Sequence, residues 1–336
     1  MTHAGAAARP GRLGVGVVGA GRVGAVIGSA LRAAGHPVVA VSAVSEESRA
    51  RAETMLPGVP VLEVTEVVRR AELVLLAVPD DALASLVQGL ADVGAWQAGQ
   101  IVVHTSGRYG VRVLDPARAA GVIPLALHPA MTFTGTSLDL SRLVGCAFAV
   151  TGPGPVLPIG QALVVEIGGE PVVVAEEDRP LYHAALAHGA NHLVVLVAQA
   201  GQALAAAGIE EPGRVLAPLL SAALDGALRA ASTSTGAITA LTGPVRRGDA
   251  DTVRDHGAVL AELGARTGAI DVAPSYRVLA RAATQRALAA GLVGQSAAER
   301  LLDALGAGMI GGGDALTPEE RHDPGTDLGG TREDDA

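Results

Sequence analysis

Lysine is absent from this chain, so all 25 of its Lys and Arg side chains are arginines. A reaction that needs a primary amine, as a Schiff-base former or a proton donor, has no lysine to supply it. The single cysteine, Cys146, excludes an internal disulfide. Aromatic residues make up 2% of the sequence, which removes the stacking platforms used on nucleic acids and leaves a core of small aliphatic groups. A net charge of -9 also speaks against a nucleic-acid or anionic-membrane partner. Apolar runs such as "LVVLVAQAGQAL" are interrupted by Gln and Gly short of the ~20 residues of a membrane span. The start "MTHAGAAARPGR" has no apolar signal core, so a cytoplasmic setting is expected.

What is present is a largely apolar chain of 336 residues, enough for two domains. "LGVGVV" at 13–18, "PVVAVSAVS" after residue 36, "ELVLLAVP" at 72–79, "GQIVVHTSG" and "VIPLALHP" read as short buried strands. Helical patterns alternate with them, which predicts a parallel sheet covered on both faces. "CAFAVTGPGP" reads as an edge strand leaving that domain. After about residue 176 helix follows helix, over 179–207, 213–231, 249–266 and 272–305. Eight acids and only two arginines fall between Asp314 and Ala336, giving a glycine-rich acidic tail. The expected divisions are a disordered segment 1–12, a domain of alternating strands and helices over 13–152, a helical domain over 153–305, and a disordered tail 306–336.

Gly19-Ala20-Gly21-Arg22-Val23-Gly24 follows a strand directly and opens a helix. In that context the first glycine allows the tight turn, the second lets backbone approach a pyrophosphate and the third packs helix on sheet. Unpaired N–H groups at the helix start then favour phosphate. No carboxylate closes the second strand to hold a ribose 2'-hydroxyl; Ser45 and Arg49 are placed to accept a 2'-phosphate, which points to NADPH, with NADH the alternative. Val78, Pro79 and Asp80 end the next strand at the cofactor edge, and Ser106 and His128 end the two after it.

"YHAALAHGANHL" at 182–193 sets Tyr182, His183, His188, Asn191 and His192 along one apolar helix. Core histidines and a zinc pair at His188 and His192 are alternatives to a polar face presented to a ligand. With no third acidic ligand nearby, no metal site is expected. Arg246 or Arg247 in "LTGPVRRGD" offers a fork for a carboxylate, while Asp249 suits a helix N-cap.

Together "GAGRVG", "VPDDAL", "HTSG", "LHPAMTF", "YHAALAHGANHLVVL" and "LTGPVRRGD" resemble a bacterial two-domain family. It joins a Rossmann-like half to a helical domain of unknown function, over about residues 13–290. Its plan is similar to that of pyrroline-5-carboxylate reductase, prephenate dehydrogenase and 6-phosphogluconate dehydrogenase, and some relatives are described as alternative ketopantoate reductases. The resemblance implies an α/β Rossmann doubly wound parallel sheet followed by an all-α C-terminal domain, and a homodimer. Where it would place Ser-Arg-Ser after the second strand, this chain has Ala43-Val44-Ser45, lacking that arginine.

The expected function is therefore an NAD(P)H-dependent reductase of a small keto or imino acid, with 2-dehydropantoate favoured and a carboxylate substrate as partner. The alternative is a non-catalytic NADP(H)-binding sensor. Ketopantoate reductases of the usual kind use a lysine as proton donor, which this chain lacks. His183 or His128 is expected in that role because imidazole exchanges protons near neutrality. Asn191 would orient the carbonyl, and Ser106 with Arg246 would hold the carboxylate.

Overall fold

The computed structural model describes residues 11–306. The expected acidic tail from 307 onward and residues 1–10 lie outside these. Gly11 and Arg12, expected to be disordered, are described, and Arg12 donates to Glu166 at 2.6 Å.

Seven strands form one sheet: β1 (Val15–Val18), β2 (Val38–Ser42), β3 (Leu73–Leu76), β4 (Ile101–His104), β5 (Ile123–Pro129), β6 (Ala147–Thr151) and β7 (Glu170–Val173). Their order is β2-β1-β3-β4-β5-β6-β7. All neighbours run parallel except β5 and β6. Seven helices connect the strands or lead out of them: α1 (Arg22–Ala33), α2 (Glu46–Met55), α3 (Val64–Arg70), α4 (Asp80–Asp92), α5 (Asp115–Arg118), α6 (Leu138–Leu143) and α7 (Leu157–Glu166).

The central strands are apolar on both sides because both faces are covered. Val15, Val17, Leu73, Leu75, Ile101 and Val103 pack on one side with Val26, Ile27 and Leu163 of α1 and α7. The alternate residues Val18, Val74, Leu76 and Val102 pack on the other with Val67, Leu83 and Val87 of α3 and α4. That two-residue alternation between opposite cores is the doubly wound α/β arrangement.

Two expectations change at the far edge. The sheet is not wholly parallel: the segment after β5 stays at the same end of the sheet, where Ala130 N–H donates to the Ala147 carbonyl, so β6 returns antiparallel. Nor is β6 the edge, because α7 crosses over and returns as β7, paired parallel to it.

The helical part contains α8 (Arg179–Ala206), α9 (Pro212–Ala231), α10 (Gly243–Arg247), α11 (Ala250–Thr267), α12 (Val272–Ala289) and α13 (Gln295–Gly306). The stretch expected as one helix over 272–305 is two, broken by a turn containing Gly291 at φ +68°. Asp249 caps α11, its side chain accepting from Thr252 N–H. The chain divides into two compact units between Leu193 and Val194, within α8, where the sequence pattern suggested 152/153. The second unit has its own core of Val253, Ala280, Ala287, Ala298, Leu301 and Leu305.

Helix α8 contains an 18-residue window of mean hydropathy 1.2 with no buried residue. By length and composition it is apolar enough to cross a membrane, a test that core helices of soluble proteins also pass.

Candidate active site

The strand order reverses between β1 and β3, and in open α/β sheets the crevice above such a reversal is where nucleotides lie. A cleft of about 840 Å³ occupies that position, lined by Gly19, Gly21, Ser42, Ser45, Val78 and Pro79 among others. Gly19 turns there at φ +95°, and a Cβ on Gly24 would stand 2.1 Å from the Gly19 carbonyl, so a side chain at 24 has no room. Gly19 N–H donates to Ser42 Oγ at 3.1 Å and Ala20 N–H to the Ser42 carbonyl at 3.0 Å, tying the turn to the end of β2. Helix α1 starts after Gly21 with no side-chain cap and no acid in its first turn. Its leading N–H groups thus keep their positive end for an anion. Arg22 is exposed beside them, Val23 partly buried.

At the ribose end, Ser45 is already engaged as the N-cap of α2, its side chain accepting from Ser48 N–H. Arg49 folds back toward the strand end, Nε donating to the Ala43 carbonyl at 3.4 Å. Its guanidinium is thereby brought beside Val44, which is 88% exposed where the resemblance placed an arginine. Arg51 donates to the Ala20 carbonyl at 3.2 Å and braces the glycine turn. These features fit a phosphorylated dinucleotide: a glycine cradle, an open helix start and arginines with backbone rather than carboxylate partners.

A second cluster sits at the ends of β4 and β5. Arg179, the first residue of α8, is wholly buried and donates to three carbonyls: Tyr109 at 2.8 Å, Ser106 at 3.0 Å and Ala149 at 3.3 Å. Burial pulls its pKa down to about 10, so it stays charged at neutrality. It holds the first turn of α8 against the sheet and delivers Tyr182 and His183 to the strand ends. The Tyr182 hydroxyl lies 2.9 Å from His128 Nδ1. Gly107 leaves room for both rings, since a Cβ there would stand 2.7 Å from His183 Cδ2 and 2.8 Å from His128 Nε2. His128 and His183 meet edge to face at 6.1 Å between centroids.

The cluster is held in a defined electrostatic state. Burial, helped by Arg179 and His183, lowers the His128 pKa to about 4. Beneath it the fully buried His104 drops to about 3, again chiefly by burial. Its Nε2 contacts the Gly110 carbonyl at 2.9 Å and its Nδ1 accepts from Ser106 N–H at 3.2 Å. Burial raises the Tyr182 pKa, with Arg179 opposing.

The structure brings Ser106, His128 and His183 together around Gly107. His128 is neutral at pH 7, so it has no imidazolium proton to give, contrary to the role read from an unperturbed imidazole. Ser106 is buried and its Oγ accepts from Tyr109 N–H, which makes it a turn-former before a carboxylate holder. Asp80 begins α4 and lies close enough to Arg179 to favour its charge. Asn191 is exposed further along α8. His188 and His192 pair with each other, Nδ1 to Nδ1 at 2.9 Å, on an exposed flank. Arg246 belongs to the second unit, where it donates to the Leu292 carbonyl and, with Arg247, lines a separate pocket of about 800 Å³. Tyr182, Arg179 and His104 are the site residues that the sequence reading did not assign.

Comparison with known proteins agrees with this architecture. A Rossmann-like domain model matches residues 1–129, and the domain of unknown function DUF2520 matches residues 146–283. No curated protein matches the chain. Among solved structures, it is similar to a Bacteroides fragilis protein assigned as an NADP oxidoreductase, at 20% identity and TM-score 0.64, covering 81% of this chain and 98% of that one. It is also similar to a Thermotoga maritima protein, at 21% identity and TM-score 0.58, covering 82% and 98%. A reductive aminase from Aspergillus terreus in complex with NADPH and ethyl-5-oxohexanoate matches at 15% identity and TM-score 0.59, covering 86% and 98%. At such identities the likeness is one of fold. The two models match in sequence order, so the chain carries a Rossmann-like domain followed by a DUF2520 domain.

Proposed function

We propose that the protein is an NADPH-dependent reductase of a small keto or imino acid, with 2-dehydropantoate the favoured substrate. The observation that carries this reading is that one compact unit holds both halves of such a site. The phosphate-type turn and cleft at β1/β3 share the strand-end edge with the Tyr182, His128 and His183 cluster at β4/β5. Gly19, Gly21, Arg22, Val23 and Gly24 would hold the pyrophosphate, Ser45 and Arg49 the 2'-phosphate, and Val78, Pro79 and Asp80 the nicotinamide side. Bound NADPH supplies a hydride. NADPH in the Aspergillus terreus reductive aminase of similar fold supports the choice of cofactor.

A homodimer is part of the proposal. Leu193, Val194, Val195, Leu196 and Val197 of α8 and Leu219, Leu224 and Leu228 of α9 are exposed, an apolar surface that a second copy would cover. A cytoplasmic location completes the reading.

The test is calorimetric titration with NADPH and NADH, followed by NADPH absorbance against a panel of keto and imino acids that includes 2-dehydropantoate. Tight NADPH binding with substrate-dependent oxidation supports the reductase. Binding without reduction of any panel member favours the sensor, and absence of nucleotide binding removes both.

A further inference from the structure

We infer that Tyr182 is the proton donor of this site, and that His128 is the positioning residue that aims its hydroxyl. The inference rests on the reductase reading and names the residue that completes it.

The geometry separates the three ring residues. His128 Nδ1 faces the Tyr182 hydroxyl at 2.9 Å, and its Nε2 lies on the Gly107 side with no hydrogen-bond partner among the described residues. With the ring neutral and its one proton on Nδ1, Nε2 is an acceptor with no proton to give a substrate. His183 turns its Cδ2 edge to Gly107 and packs edge-on against His128. Tyr182 is only partly buried, and among the described residues its oxygen has one protein partner, His128. If the imidazole carries its proton on Nδ1, that N–H donates to the phenol oxygen and the phenol keeps its own hydrogen for a ligand.

The chemistry agrees. Reduction of a carbonyl adds the hydride with its electron pair to carbon, and the C=O π pair moves to oxygen. The Tyr182 O–H bond then breaks, its proton bonding to that oxygen, or to nitrogen for an imine. The phenolate left behind takes a proton from water, so substrate gains one hydride and one proton and the chain is unchanged. An alkoxide is about as basic as hydroxide and far more basic than a phenolate. A phenol is acidic enough to protonate it and stays protonated at neutrality. The buried Arg179 one turn earlier on α8 stabilises the transient phenolate, while burial and Cys146 oppose it. The groups bearing on Tyr182 are thus Arg179 of α8, His128 of β5, the neighbouring His183 and Cys146.

The test is Tyr182→Phe, which keeps the ring and removes the hydroxyl. Melting temperature is expected to stay unchanged, and NADPH affinity to stay within about twofold of wild type. Turnover on a substrate that the wild type reduces is expected to fall about 100-fold or more. In the wild type the rate should fall on an alkaline limb above the ordinary tyrosine range, and that limb should vanish in the variant. Should Tyr182→Phe fail to fold, 3-fluorotyrosine at 182 lowers the phenol pKa and must move the alkaline limb down. An unmoved limb, or a folded Tyr182→Phe enzyme with near-wild-type turnover, overturns the assignment while leaving the reductase standing. Wild-type protein that binds NADPH and oxidises it with no substrate overturns both.

Discussion

Arg179 Nη2 donates to the Ser106 carbonyl at 3.0 Å, fastening the first turn of α8 to the turn that ends β4. Two further carbonyls, of Tyr109 and Ala149, depend on the same buried guanidinium. Arg179→Ala leaves three acceptors without it, each costing ~1–3 kcal/mol when buried and unpaired. A total loss of at least about 3 kcal/mol is expected, with a fall in melting temperature of roughly 10 °C. Arg179→Lys should recover little, because one ammonium cannot reproduce a planar fork spread over three carbonyls. Thermal melts of both variants check this; an unshifted Arg179→Ala melt would rule it out.

Gly24 closes the turn over Gly19. An added methyl would meet the Gly19 carbonyl at 2.1 Å and the Ala77 Cβ at 2.8 Å, both on rigid backbone-bearing elements. Gly24→Ala is therefore expected to cost about 2 kcal/mol or more through overpacking and to abolish dinucleotide binding by opening the cradle. Calorimetry with NADPH beside a thermal melt measures both effects. Retained affinity in the variant would show that the turn does not carry the phosphates.

Much of the first unit was legible because two-residue and helical periods are written in apolar residues, as in "ELVLLAVP", and because a glycine turn between strand and helix is punctuation. The exceptions have physical causes. Strand β7 escaped notice because it is an edge strand with mostly exposed side chains, so no buried run marks it. The break between α12 and α13 was hidden in an apolar pattern that continues across Gly291. Arg179 follows "EED", where a charged residue reads as solvated, and only tertiary structure buries it. Tyr182 and His128 are 54 residues apart, so their contact exists only once β5 and α8 are packed. His128 was picked by position at a strand end, but its protonation state depends on burial, which a sequence does not state.

Arg49 and Arg51 separate cofactor selectivity from cofactor binding. Arg49 reaches the end of β2, where a 2'-phosphate would sit, whereas Arg51 braces the Ala20 carbonyl in the glycine turn. Arg49→Ala should weaken NADPH about tenfold, the lower end for a charge-assisted hydrogen bond of ~1.5–3 kcal/mol, and leave NADH affinity unchanged. Arg51→Ala should weaken both nucleotides alike. Dissociation constants for the four pairs decide it, and an unchanged NADPH-to-NADH ratio in Arg49→Ala would remove Arg49 from the 2'-phosphate.

His104 and His128 make the fold sensitive to acid. Their folded pKa values, about 3 and about 4, lie below the ordinary 6.5 because both are buried as neutral rings. As pH falls below about 6.5, the unfolded chain takes up protons on both that the folded chain refuses. The unfolded state binding more protons means that stability rises with pH. The contribution is complete above about pH 6.5 and is lost on acidification, down through about pH 4 for His128 and about pH 3 for His104. Each histidine adds a slope of up to ~1.4 kcal/mol per pH unit. Urea titrations between about pH 7 and about pH 5, above most carboxylate titration, should show stability falling steadily. His104→Asn keeps a donor and an acceptor at the site while removing one titrating ring, so it should take away close to half of that slope. A stability that stays level across this interval would mean that the rings accept protons in the folded state, and that the strand-end cluster is open to water.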